Sequence, residues 1–402
     1  MNQEQHTGQL DGVYLDHAAT TPVRPEVVEA MLPYLTHTFG NASSIHLFGQ
    51  EAKRALERAR ETVARCIGAD PDEVYFTGGG TESDNLAIEG VVRASSPARR
   101  HPITSRVEHH AVLNCLRHLE QAGHGVTYLP VDRFGVVDLG DVASAVRPDT
   151  TLISIMLANN ETGTLQPIRE IAGIARERGV PVHTDAVQAV GKIPVNVDDL
   201  GVDLVSVSAH KIYGPKGVGA LYIRKGTEIA PIFHGGHHER GMRPGTENVA
   251  SIAGFARAIE LATEELPRTA LRLAALRDRL ERGIGERIAD VHVNGHLHQR
   301  LPNILNIGFE AVEGEALLLA LDLSGIAVST GSACTSGSME SSHVLSAMRV
   351  PPELARAALR FSLGMSTTEA RIDFVLERLT EIVARLRHMS PLHAGGAHKD
   401  GR

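Results

Sequence analysis

At 402 residues the chain is longer than one ordinary domain, so a large unit and a smaller one are expected to share it. Hydrophobic residues at 42% and charged residues at 22% are those of a globular protein, and a formal net charge of −8 with no long basic run argues against nucleic acid or an anionic membrane surface as partner. No long apolar run and no basic-then-apolar start appear, so neither a membrane span nor a secretory signal is expected, and the chain is placed in the cytoplasm. Its three cysteines are too few and too scattered for a disulfide framework or a four-thiolate zinc site.

The first clear element is "QEAKRALERARETVARCIG", residues 50–68, whose apolar residues fall at helical spacing and which stops on Gly68, where a helix end favours glycine. Cys66 within it, and Cys115 in "LNCLRHL", have apolar neighbours and read as core residues. From about residue 73 to 224, the β-rich runs "EVYFT", "HPITSRV", "GVTYLPV", "TLISIML", "VPVHTDA", "DLVSVSA" and "GALYIR" mostly alternate with helical patterns. Such alternation builds βαβ units around a mostly parallel sheet covered on both faces, so the fold class is α/β.

Several polar residues stand just past the ends of these runs, where open α/β sheets bind ligands. In "FTGGGTESDN" the turn at Gly80 and Thr81 can cradle a phosphate with backbone N–H groups, or be a tight turn with Thr81 as the helix cap; the lysine-bearing P-loop pattern is absent. His109 of "EHHAV" could stack on a planar cofactor or move protons, or serve as an ordinary hydrogen-bonding residue. Asn159 and Asn160 of "LANNETG" read as turn formers. Asp185 of "PVHTDAVQ", with Gln188 three residues on, could face a protonated heterocycle such as the pyridinium nitrogen of pyridoxal phosphate, or simply cap a helix or hold a metal. Lys211 of "SAHKIYGPKG" is one of only six lysines and could be a covalent nucleophile if it is partly desolvated or set beside other cations; the plain alternative is a surface loop lysine.

Further along, "FHGGHHERGMRPGT" offers His234, His237 and His238, but its glycines and lack of regular spacing leave no defined zinc site, and it reads better as a loop beside the cofactor or between subunits. A long helical stretch from Glu247 to about Arg287, then "LPNILNIGF" and "AALRFSLG", mark a smaller α+β unit starting near residue 262, with residues 393–402 as a mobile tail. Cys334 lies among small polar residues in "STGSACTSGS", the setting of an accessible nucleophilic thiol or of an incidental one. Arg360 of "RFSLG" places a charge inside a strand-like run, where a bidentate grip on a carboxylate or a structural ion pair would account for it.

Together with "YLDHAATTP" at Tyr14 and "RPGTEN", these motifs resemble the cysteine desulfurases of the NifS/IscS type, in that family's order and from Tyr14 to Leu392. The resemblance implies the fold of type I pyridoxal-phosphate enzymes, with a large unit over 14–261, a small one formed by 1–13 and 262–392, and a homodimer. It implies that Lys211 carries pyridoxal 5'-phosphate, Asp185 pairs with its ring nitrogen, His109 stacks on the ring, and Asn160 and Gln188 contact it. Gly80, Thr81, Ser208 and His210 would hold the phosphate, with Thr246 reaching it from the other subunit. Arg360 and Asn41 of "FGNASS" would grip the substrate carboxylate. Cys334 would take sulfur from L-cysteine, leaving L-alanine, and pass it to an iron–sulfur scaffold or another acceptor; no resident metal is implied, though the same thiol could transiently ligate a nascent cluster. Gly80 stands where many relatives have alanine, the tail after Leu392 is short, and "RPGTEN" with "TSGSMESSHVL" leans toward the NifS-like branch. A selenocysteine lyase, an aminotransferase and a non-catalytic persulfide carrier are the rival readings; an aminotransferase has no need of Cys334, and a carrier no need of Lys211 and Asp185.

Overall fold

The structure, a computed structural model, describes residues 12–330 and 342–389. After a two-residue strand β1 (Val13–Tyr14), each of the seven β-rich runs of the first half forms a strand: β2 (Val74–Thr77), β3 (His101–Ser105), β4 (Thr127–Leu129), β5 (Thr150–Ser154), β6 (Val182–Asp185), β7 (Leu204–Ser208) and β8 (Gly219–Ile223). They make one sheet in the order β2-β8-β7-β6-β5-β3-β4. Neighbours from β7 to β4 are parallel, while β8 runs antiparallel to both β7 and β2. The reversal has a local cause. Between β7 and β8 the chain has only the short 3₁₀ turn Ala209–Lys211, and a parallel return would need a crossover of a dozen or more residues.

Strands β3, β5, β7 and β8 are buried at every residue, as a sheet covered on both faces requires. One hydrophobic cluster joins the sheet to the helices Leu47–Ile67 and Val249–Glu264. On the opposite face Leu152, Leu204 and Leu221 pack against the helices Gly80–Ala94 and His110–Gln121. The helix Leu47–Ile67 turns Ala52, Leu56, Ala59, Val63 and Ile67 inward and ends at Gly68 with φ 72°, the left-handed conformation its glycine permits.

The long helical stretch of the second half is two helices, Val249–Glu264 and Leu266–Arg287, broken at Glu265 with Pro267 in the first turn of the second. Beyond it come β9 (Val291–Asn294), β10 (Ile304–Phe309), β11 (Ile326–Ala327) and β12 (Ala358–Ser362); β12, β10 and β9 form an antiparallel sheet, and β11 pairs in parallel with β1. Val13 and Leu15 share a separate hydrophobic cluster with residues of this second half, from Leu273 to Val383. The N-terminal segment thus belongs to the small sheets, where Ser362 N donates to the Leu15 carbonyl at 2.7 Å, and six residues later it reaches the large one, where Thr21 N donates to the His210 carbonyl at 3.0 Å. Among the described residues no helix is long and apolar enough to cross a membrane.

Candidate active site

The carboxyl ends of β2, β3, β5, β6 and β7 share one edge of the large sheet, and a cavity of about 210 Å³ opens there. Nine residues singled out in the sequence line it: Gly80, Thr81, His109, Asn160, Asp185, Gln188, Ser208, His210 and Lys211. A wider cleft of about 1000 Å³ adjoins it through Gly80, Thr81, Ser208 and His210 and runs past Gly78, Gly79 and Lys216.

Lys211 leaves the sheet on the 3₁₀ turn after β7, and its Nζ donates to the carbonyls of Ala18 at 2.6 Å and Ala19 at 2.8 Å. Thr21 fixes that turn from outside: its hydroxyl donates to the His210 carbonyl and accepts from Tyr213 N, both at 2.8 Å, while Tyr213 holds a positive φ of 66°. Gln188 Nε2 donates to the same Ala18 carbonyl at 3.0 Å. The amine and the amide therefore meet over one backbone oxygen of the N-terminal segment.

Asp185 is the last residue of β6 and its Oδ1 accepts from Val187 N at 2.8 Å, so it does cap the following turn. Burial raises its carboxyl pKa, the Val187 N–H and the charge of Lys211 opposing that rise. A cation in the cavity would draw the carboxyl back to its ionised form. Beneath it lies Asp84, buried and raised well above the usual carboxylate range by burial and by Asp185. Its Oδ1 has no hydrogen-bond partner among the described residues and sits 3.6 Å from His183 Nε2, and the His183 ring is held between the hydroxyls of Ser154 and Ser206 at 2.8 and 2.9 Å.

His109 caps the helix His110–Gln121. Its Nδ1 accepts from Ala111 N at 3.1 Å, which leaves the proton of the neutral ring on Nε2. Burial first, then the charges of Lys211, His110 and His343, bring its pKa down to about 4. A neutral ring of this kind suits stacking better than proton abstraction at neutral pH.

The glycine turn leaves a helix start without a side-chain cap. The helix Gly80–Ala94 starts from Gly79, at φ 143°, with no side-chain cap, so Thr81 lies inside the first turn and is not the cap. Its first backbone N–H groups have no intrahelical acceptor, and the residues that carry them, Gly80 and Thr81, line the cleft. His210 Nδ1 lies 3.1 Å from the Thr20 hydroxyl, and burial with the neighbouring Lys211 and Lys216 keeps its ring neutral, near pKa 4.

The two asparagines part company. Asn159 is the turn former, its Oδ1 accepting from Glu161 N and Thr162 N at 2.9 Å, while Asn160 faces the cavity. Arg360 approaches Asn160 from β12: Nη1 donates to the Asn160 carbonyl at 3.0 Å, Nη2 pairs with Asp16 at 2.7 Å, and Nε is buried with no partner among the described residues. Asn41 and Thr246 are exposed and do not line the cavity; Asn41 Oδ1 accepts from Ser43 N. Cys334 and the tail 393–402 lie outside the described residues. Cys66 and Cys115 have thiols raised by burial, Cys115 to about 12, and neither is a ready thiolate. In the histidine-rich loop, buried Glu239 takes a bidentate bond from Arg60 at 2.7 and 2.8 Å and one from Phe76 N at 2.8 Å.

Sequence reasoning missed Asp84, Asp16 and the carbonyls of Ala18 and Ala19. Asp84 had a usable signal, for it stands four residues after Gly80 and so shares its helix face beside the apolar run 86–88. The carbonyls had none, because only the tertiary fold brings residues 16–21 over Lys211.

The family model for aminotransferase class-V matches residues 13–375. A curated cysteine desulfurase IscS of Dictyoglomus turgidum is 58% identical over 379 residues, 94% of this chain and 96% of that one. Among solved structures, a NifS-like protein superposes with TM-score 0.88 at 42% identity, over 93% of this chain and 100% of its own. SspA in complex with cysteine superposes with TM-score 0.78 at 38% identity, over 87% and 98%. A sheet edge with a lysine, a buried acid and an uncapped helix start, found in a chain this similar over this length, places it in the aminotransferase class-V family, among the cysteine desulfurases.

Proposed function

We propose that this cysteine desulfurase uses pyridoxal 5'-phosphate held in the 210 Å³ cavity and delivers the sulfur of L-cysteine to Cys334. The observation that carries the reading is the joint placement of Lys211, Asp185 and the uncapped helix N-terminus around one cavity. That set fits the cofactor chemically: an amine for its aldehyde, a buried acid for its ring nitrogen, and backbone donors for its phosphate. Bound there, the cofactor would supply an electron-withdrawing ring that accepts the electron pair left when the substrate loses its α-proton.

The residues of the chain do the rest. Lys211 Nζ would hold the cofactor and, once released from it, take the α-proton. His109, neutral with its proton on Nε2, would lie against the ring. Asp185 would keep the ring nitrogen protonated, and Gly80, Thr81, Ser208 and His210 would bind the phosphate, with Thr246 supplied by a second copy. The substrate carboxylate would meet Arg360, whose Nε is the donor left over. In balance, L-cysteine and the Cys334 thiol give L-alanine and a persulfide: one C–S bond breaks, one S–S bond forms, and the alanine β-carbon takes the proton. An iron–sulfur scaffold or another thiol would then receive the sulfur.

A homodimer is supported by the exposed apolar side chains Leu32, Leu35, Phe39, Ile45, Leu47 and Phe48, which surround Asn41 in sequence and offer a patch for a second copy. The reading is tested by borohydride reduction of the cofactor-loaded chain followed by peptide mapping: the label is expected on Lys211, and a label elsewhere refutes the assignment.

A further inference from the structure

Lys192 is a buried lysine that none of the roles above employs. Only 7% of it is exposed, and its Nζ donates to the backbone carbonyl of Lys211 at 3.2 Å. The same nitrogen stands over the Tyr213 ring, 5.6 Å from its centre. Among the described residues it has no carboxylate within ion-pair distance. A buried ammonium without an acid partner is costly, and the backbone is shaped to keep it there. Gly191, just before it, has φ 71°, and a Cβ at that position would come within 2.9 Å of both Ile212 and Ala262. The chain thus turns in against the Lys211 segment at a place only glycine allows.

The groups facing Lys192 are few. Lys211 and Tyr213 come from the turn after β7 and His17 from the N-terminal segment. Arg24 and Glu265, across a cavity of about 20 Å³, already pair with each other at 2.9 Å. None of these supplies an anion to Lys192. We propose that Lys192 is a positioning residue for the Lys211 amine, pinning the turn that carries it through the Lys211 carbonyl and setting a second positive charge beside it.

The physical consequence runs both ways. Burial first, and then Lys211, bring the pKa of Lys192 down to about 8, so it still carries its proton at neutral pH. The repulsion is mutual, so the charge on Lys192 makes the Lys211 ammonium easier to deprotonate, and only the free base can condense with an aldehyde and release water. A neutral side chain at 192 removes that push.

This inference rests on Lys211 being the amine that takes the cofactor. The test follows covalent uptake of pyridoxal 5'-phosphate by the full-length chain stripped of cofactor, at a series of pH values, with borohydride trapping and mass mapping of Lys211. Wild type is compared with K192Q, which keeps an N–H donor without the charge, and with K192M, which keeps neither. The pH midpoint of uptake is expected to rise in both variants by on the order of one unit, about a tenfold slowing at a fixed pH below the midpoint. A loss of packing alone would lower the melting temperature and leave the midpoint where it was. Equal midpoints in wild type and K192Q overturn the inference and leave the reading of the site intact. A wild-type chain that takes no label on Lys211 overturns both.

Discussion

Arg360 and Asp16 form an ion pair of 2.7 Å, and the second terminal nitrogen of the same guanidinium is taken by the carbonyl of the cavity-lining Asn160 at 3.0 Å. Asp16 is the residue that also orders the backbone into Lys211, since Ala19 N donates to its carbonyl at 3.0 Å. The arginine is therefore held in place before any substrate arrives. Replacing it by Gln should lower kcat/KM for L-cysteine on the order of 10²–10³-fold, the usual cost of removing one partner of a buried, hydrogen-bonded charge pair, while cofactor uptake stays unchanged. Steady-state kinetics beside a cofactor titration measures this. A variant with normal kcat/KM and only a lower melting temperature would make the arginine purely structural.

The proposed phosphate cradle depends on Gly79. At φ 143° and ψ −174° it occupies a conformation open essentially to glycine alone. Gly79→Ala should cost about 1–3 kcal/mol in stability and displace the start of the helix Gly80–Ala94, weakening pyridoxal 5'-phosphate about tenfold or more. Pyridoxal, which lacks the phosphate, should bind the variant and wild type equally. Fluorescence titration with the two ligands separates the cradle from general damage.

Glu108 gives a pH dependence with a definite sign. It is fully buried, takes bonds from the Ser105 hydroxyl at 2.5 Å and from Met156 N at 2.9 Å, and burial pushes its pKa up from 4.5 to about 8. The folded chain holds this proton more tightly than the unfolded chain. The stabilisation is thus complete below pH 4.5 and is lost as the pH rises through about 8. Glu108→Gln keeps both contacts, with its oxygen accepting from Met156 N, and cannot ionise. The melting temperature of the variant should gain on wild type between pH 5 and 9, on the order of a few degrees. Thermal melts across that range check it, and a gap that does not change with pH contradicts it.

Much of this was legible in the chain because β-rich runs alternate with helical patterns over residues 73–224, so the strands could be placed and the residues at their carboxyl ends could be read as a site. The direction of β8 was not legible, since it turns on whether a helix intervenes after Lys211. Nor were β1 and β11, two residues each, which pair across more than 300 positions. Asp185 and Lys211 could be named from their places at the carboxyl ends of β6 and β7. Lys192 could not, because a charged residue in a turn reads as solvated until packing shows it enclosed. Asn159 and Asn160 look alike in sequence, and only the turn separates the one that builds the loop from the one that faces the cavity.

Sulfur transfer to Cys334 is tested most directly by mass spectrometry of that residue after the cofactor-loaded chain is mixed with L-cysteine and alkylated at once. One additional sulfur on Cys334, with alanine formed in equal amount and no alanine from Cys334→Ser, is the expected result. Alanine production that continues undiminished in Cys334→Ser, or extra sulfur found only on Cys66 or Cys115, would contradict it.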